Sequence, residues 1–386
     1  MARNELLVIH PMKNPFQYGG VVGSDAFCNR THELTDLVRA MKNGEKMFVY
    51  SERRFGKTSL VKLALSKLPQ TRYVAVYIDL WPTDSEASFV ATVARAISNA
   101  TGGNIDHMMN TVRSLFVHLL PTVTMDERGK PVVTFGVPRA NRVDLELHDV
   151  LNAPVKMARE YKRHVVIVYD EFQQILGYGS DMIERVLRSG IQSQKGVSYI
   201  FLGSRKHLLQ GMFLDKSRPL YRAATHYPIG VIGEQHWVPF IRKRFARGRK
   251  SISPEQIRMI CSATEGHPFY TQHLCYALWE LCERGRTVNA KMIEEATTVL
   301  LSREQYAYVV LWESLTRNQQ RFLKALASRD STAKLFSAEW LQQHRLGSPS
   351  TVQRVIATLL DRDIIDRENG SFIILDRFFR LWLRRM

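Results

Sequence analysis

The residues best suited to chemistry lie together at Ser51-Glu52-Arg53-Arg54-Phe55-Gly56-Lys57-Thr58-Ser59. An apolar, β-prone run (Met47 to Tyr50) precedes them. Leu60, Leu63, Ala64 and Leu68 follow at helical spacing. A strand, a tight turn and a helix start in this order predict a phosphate-binding loop. Backbone N–H groups of such a turn wrap phosphate oxygens, and the positive end of the helix adds to their pull. Gly56 lets the backbone approach closely, Lys57 reaches the terminal phosphates, and the Thr58 hydroxyl suits Mg2+. Ser51 stands where such loops begin with Gly, and Ser accepts positive φ less readily.

A second constellation closes the apolar run His164 to Tyr169 with Asp170 and Glu171. A buried strand that delivers two carboxylates at its end suits phosphoryl chemistry. The first acid serves Mg2+ and the second polarises the attacking water. Asp170 therefore joins Thr58 as a metal residue, and Glu171 is the expected general base, which argues for hydrolysis over binding alone. The run ending Phe201-Leu202-Gly203-Ser204-Arg205 offers Ser204. Ser204 reads either as a group orienting the water or touching the γ-phosphate, or as an N-cap of the next helix. Asp79 reads equally as a turn acid or as a group near Mg2+.

These residues need a scaffold. Tyr73 to Asp79, His164 to Tyr169 and Val197 to Leu202 read as strands. Helices are expected over 57–68, 86–99, 146–161 and 181–194. Strands alternating with helices predict an α/β fold with a parallel sheet flanked by helices, here of the P-loop type. Two β-prone runs around residues 126–131 interrupt the pattern as a hairpin insertion near 121–137. Beyond Gly233 the strands stop. Ser253-Pro254-Glu255-Gln256 is a helix start of the capping-box kind, and helices run on to about 315. Thr316, Ser337 and Ser348 can cap three further helices, and Asn369-Gly370 joins two apolar runs as a hairpin. Three helices and a hairpin predict a winged helix-turn-helix. The expected division is a core over 1–233, a helical lid over 234–312 and a winged helix over 313–386.

The chain has 386 residues and carries 54 Lys and Arg against 37 Asp and Glu, a formal charge of +17. That excess favours acidic ligands. A basic run at 242–258 reads as a solvated lid face or a nucleic-acid contact. No apolar run approaches the ~20 residues of a membrane span, so no membrane role is expected. Four irregularly spaced cysteines do not make a disulfide framework, and a cytoplasmic location is expected. Cys275 and Cys282 read as core residues, and no His or Cys spacing suggests zinc.

Taken together, the motifs resemble those of the archaeal-type AAA+/STAND ATPases. The resemblance rests on Asn14 to Gly20, Phe27 to Leu34, Arg53 to Leu60, Tyr169 to Gln173, Gly203 to Leu208, Gly266 to Gln272 and Leu375 to Leu383. It implies an ASCE/AAA+-like core, and ATP with Mg2+ as ligand. It implies that Phe16 or Tyr18 contacts adenine and that Pro268 packs near the base. Gly266-His267-Pro268 would be the lid motif, with His267 reaching a phosphate; the same residues also read as a plain break between lid helices. The resemblance implies a nucleotide-driven conformational switch, self-association or a protein partner, and an arginine acting from a neighbouring subunit. Arg205, Arg218 and Arg222 are the candidates, beside a structural reading of each. On the third helix of the winged unit Ser350, Thr351, Gln353 and Arg354 should face outward, with Arg345 nearby. That face suits DNA or docking on the protein's own core, and both readings stand open. The alternative to an ATP-hydrolysing switch is a nucleotide-gated DNA-binding regulator with little turnover.

Overall fold

The computed structural model describes residues 13–20, 23, 27–101, 105–125, 127, 131–135, 143–328, 337–368 and 370–386. The chain divides into two units. Residues 30–230 form one, and the first 29 residues join 231–386 in the other.

The 30–230 unit runs α1 (Thr31–Asn43), β1 (Lys46–Tyr50), α2 (Lys57–Ser66), β2 (Tyr73–Asp79), α3 (Glu86–Thr101), α4 (Ile105–Leu115), β3 (Pro121–Met125) and β4 (Pro131–Phe135). It continues with α5 (Val143–Tyr161), β5 (His164–Asp170), a 3-10 turn (Phe172–Tyr178), α6 (Met182–Ser193), β6 (Val197–Gly203), α7 (Lys206–Leu214) and β7 (Thr225–Pro228). Five strands form one sheet in the order β2-β5-β6-β1-β7, and all its pairs are parallel. β6 is buried along its whole length and β5 from its second residue onward, as strands covered on both faces must be. Phe89, Val93, Leu147, Val150, Leu187 and Phe213 from the flanking helices fill the core. The expected strands and helices are present with ends shifted by a few residues. β7 is an addition. It is a half-exposed edge strand closed by Pro228, without the apolar run that marks its neighbours. The β3–β4 hairpin is a separate two-stranded sheet, as the insertion predicted. Most of its expected turn, and residues 136–137, lie outside the described residues.

The other unit contains α8 (Glu234–Arg247), α9 (Pro254–Thr264), α10 (Pro268–Leu281), α11 (Ala290–Glu313), α12 (Arg317–Ala327), α13 (Ala338–Gln343) and α14 (Pro349–Asp361). The hairpin β8 (Ile365–Glu368) and β9 (Ser371–Ile374) and a last helix α15 (Arg377–Arg385) complete it. Both capping boxes form, at Ser253 and Thr316, and Ser337 and Ser348 cap α13 and α14. One buried apolar cluster runs from Trp237 and Leu278 through Leu300 to Phe322, Leu359 and Phe379. Lid and winged helix share a core, and Phe16 and Cys28 from the chain start belong to it. Asn369 lies outside the described residues, and Gly370 has the positive φ (80°) that a tight hairpin turn requires. Among the described residues no helix is long and apolar enough to cross a membrane.

Candidate functional site

Strand register builds the site. Asp79 pairs with Asp170 at the carboxyl ends of β2 and β5, while Tyr50 pairs with Gly203 at those of β1 and β6. The residues that follow these strands therefore meet at one edge of the sheet, where open α/β sheets bind ligands.

The loop after β1 ends at Gly56, whose φ of 83° starts α2 and disfavours any side chain there. The space a Cβ would enter is open. Ser51 is not among the residues of positive φ, so serine in place of glycine carries no backbone strain. Positive φ falls instead on Arg54, at 62°. Arg53 and Arg54 are exposed, whereas Ser51, Glu52, Phe55 and Ser59 are buried. The Lys57 ammonium, itself buried, folds over the loop and donates to Ser51 O (3.2 Å), Ser51 Oγ (2.9 Å) and Glu52 O (2.8 Å).

Asp170 is the hub. Its Oδ2 accepts from Thr58 Oγ1 at 2.7 Å and from Tyr77 Oη at 2.5 Å, and its Oδ1 accepts from Glu171 N at 2.9 Å. The Tyr77 phenol is pushed well above its ordinary pKa, first by burial and then by the Asp170 carboxylate. Glu171 sits in the left-handed region at φ 52°, a conformation that costs about 1–3 kcal/mol and concentrates at functional positions. Its Oε2 accepts from Ser204 Oγ at 2.9 Å and from the Gln173 amide. Lys57, Thr58, Asp170, Glu171 and Ser204 thus converge on one edge, carried by two strand ends and a helix start. The donor set of a threonine hydroxyl beside an aspartate is hard oxygen, which fits Mg2+. Ser204 lies at the strand end and bonds Glu171, while the N-cap of α7 is Arg205. Asp79 accepts from Trp81 N at 3.0 Å and so serves as a turn acid.

In the other unit Phe16 is buried (1% exposed) and packs on Phe245 at 5.5 Å. Tyr18 is 37% exposed and stacks on His273 at 3.8 Å. Pro268 opens α10, and the buried His267 ring caps that helix by accepting from Phe269 N at 3.2 Å. The motif is therefore a helix break in this structure. Gly266 is needed there, since a Cβ would lie 2.5 Å from Ile232 O. Ser350, Gln353 and Arg354 face solvent on α14, Thr351 is half-buried, and Arg345 is exposed just before the helix.

Of the arginine candidates, Arg218 pairs with the buried Glu184 and Arg222 lies over the Tyr221 ring. Arg205 keeps its N-cap place. The four cysteines are free and buried, and burial pushes the Cys275 and Cys261 thiols up, the latter to about 12. Among the described residues no three His, Cys, Asp or Glu gather as a metal centre. Tyr77 and Gln173 escaped sequence reasoning. Tyr77 matters because β2 lies beside β5, and strand order is not written in either strand.

Comparison with known proteins agrees with this scaffold. Residues 27–274 match the family described as an ATPase domain predominantly from Archaea, and residues 306–385 match a probable winged helix domain. A Walker-type ATPase of Pyrococcus abyssi superposes with a TM-score of 0.62 at 16% identity, covering 94% of this chain and 97% of that one. The Aeropyrum pernix ORC2 protein, solved as ADPNP–ADP complexes, gives 0.56 at 14% identity and covers 93% of each chain. No curated protein matches the chain in sequence.

Proposed function

The chain belongs to the family of ATPase domains found predominantly in Archaea, and on that premise we propose that it binds ATP with Mg2+ and hydrolyses it to ADP and phosphate. The cycle would act as a conformational switch coupled to DNA or to a protein partner. One observation carries the reading: Thr58, Asp170, Glu171 and Ser204 are bonded into one network beside the loop that holds Lys57.

The roles follow from the bonds. Lys57 exchanges neutral backbone and hydroxyl oxygens for phosphate oxygens, which are stronger acceptors. Thr58 and Asp170 would hold Mg2+, which neutralises charge on the phosphates when bound. Glu171 takes the proton of the attacking water, and Ser204 orients the Glu171 carboxylate. The backbone N–H of Glu171 fixes Asp170, so acid and base are set relative to each other. Of the two aromatic candidates for adenine, Tyr18 is 37% exposed, while Phe16 is buried in the core of its own unit.

A second reading is favoured by the two donors on Glu171 Oε2. Both donors occupy the oxygen that would meet the attacking water, and an occupied base fits a slow, nucleotide-gated DNA-binding regulator. Phosphate release with and without duplex DNA separates the two. Turnover that rises with DNA supports the switch, and DNA binding that follows nucleotide state without turnover supports the regulator. Arg354→Ala should weaken DNA binding and reduce the salt slope by about one. Unchanged binding would take DNA away from the α14 face and favour a protein partner.

A further inference from the structure

Tyr77 has no part in the motif reading, yet it makes one of the shortest side-chain contacts at the phosphate edge. It stands on β2, level with Val168 of the neighbouring β5, and its hydroxyl reaches Asp170 Oδ2 at 2.5 Å. The same oxygen accepts from Thr58 Oγ1 at 2.7 Å. The Lys62 ammonium lies over the ring, 4.5 Å from its centre. Asp170 is buried, so its carboxylate needs every donor it has.

We propose that Tyr77 is a positioning residue for Mg2+: it fixes the Asp170 carboxylate in the orientation in which Asp170 and Thr58 together hold the ion. The inference rests on the Mg2+-dependent nucleotide reading above. Its physical basis is that outer partners of metal-holding carboxylates set their direction and share their charge. A tyrosine suits this place because its length spans from the next strand to the strand end, and its hydroxyl presents a donor to the carboxylate. Thr58 donates to the same oxygen with its proton, which leaves its lone pairs for the ion. With Tyr77 removed, Thr58 still holds Oδ2 and the Glu171 N–H still holds Oδ1, but the carboxylate loses the donor that sets Oδ2 against the neighbouring strand.

The test is the affinity of a fluorescent ATP analogue measured in excess Mg2+ and in EDTA, whose ratio reports what Mg2+ adds. Tyr77→Phe keeps the ring on its strand and over Lys62. It should lower that ratio about tenfold, the lower end for loss of such a partner, with affinity in EDTA unchanged. In an Asp170→Asn background the same substitution should change the ratio no further, because the partner it acts through is gone. A ratio equal to or above that of the wild type in Tyr77→Phe overturns the proposal. So does an equal drop in both backgrounds, which would mark a merely structural tyrosine. Wild-type affinity that is the same in Mg2+ and in EDTA overturns this role together with the Mg2+-dependent reading. A Mg2+-dependent wild type with an indifferent Tyr77→Phe overturns this role alone.

Discussion

Both units bury charge, but they partner it differently. At the phosphate edge the Lys57 ammonium bonds neutral oxygens of Ser51 and Glu52 in its own loop. In the other unit Arg377, 1% exposed, ion-pairs with Glu265 at 2.7 Å and donates to the carbonyls of Ile374 and Leu375, both at 3.0 Å. Arg380 reaches the same carboxylate. A phosphate that reached Lys57 would be a stronger acceptor than these loop oxygens, whereas Arg377 already faces a carboxylate. The two charges differ in what is proposed to meet them: a ligand for Lys57, the fold for Arg377. Glu265 also precedes Gly266-His267-Pro268, so the clamp ties the break between α9 and α10 to α15 of the winged helix.

The largest expected effect tests the first half of that contrast. Lys57→Ala should lower ATP affinity by about a hundredfold or more, the scale of a lost charge-assisted contact to phosphate (about 3 kcal/mol), while leaving thermal stability nearly unchanged. Arg377→Ala should do the reverse. It removes one of two guanidinium groups on Glu265 and should destabilise its unit by about 2–3 kcal/mol, below the range for a broken buried pair because Glu265 keeps Arg380 and is partly exposed. Denaturant unfolding measures this, and ATP affinity at low temperature should hold. Were Arg377→Ala to abolish nucleotide binding without loss of stability, the division would be wrong. The smallest effect is Ser253→Ala. It removes one side of the α9 capping box and should cost about 1 kcal/mol.

The two regions also differ in how much of each was legible. Lys57 and Thr58 could be read because a phosphate loop is consecutive in sequence. Asp170 and Glu171 could be read because an apolar run ended on two acids. The same strand-end argument named Ser204, which bonds Glu171. The helix caps at Ser253, Thr316, Ser337 and Ser348 were legible because capping is decided within four residues. Tyr77 was not, because its role depends on β2 lying beside β5. The Glu265 clamp was not, because it joins residues more than a hundred positions apart. β7 was missed for want of apolar residues. The resemblance made Phe16 an adenine candidate, but nothing local revealed that it packs against Phe245.

In the proposed hydrolysis Glu171 is the base beside a loop that binds ATP without it. The most direct measurement is phosphate release by Glu171→Gln, with ATP affinity measured on the same sample. Gln keeps the shape and the Ser204 contact but cannot take a proton. ATP affinity should stay within about threefold of wild type while turnover falls about a hundredfold, the lower range for losing a general base. Turnover equal to wild type, with ATP still bound, would contradict the assignment.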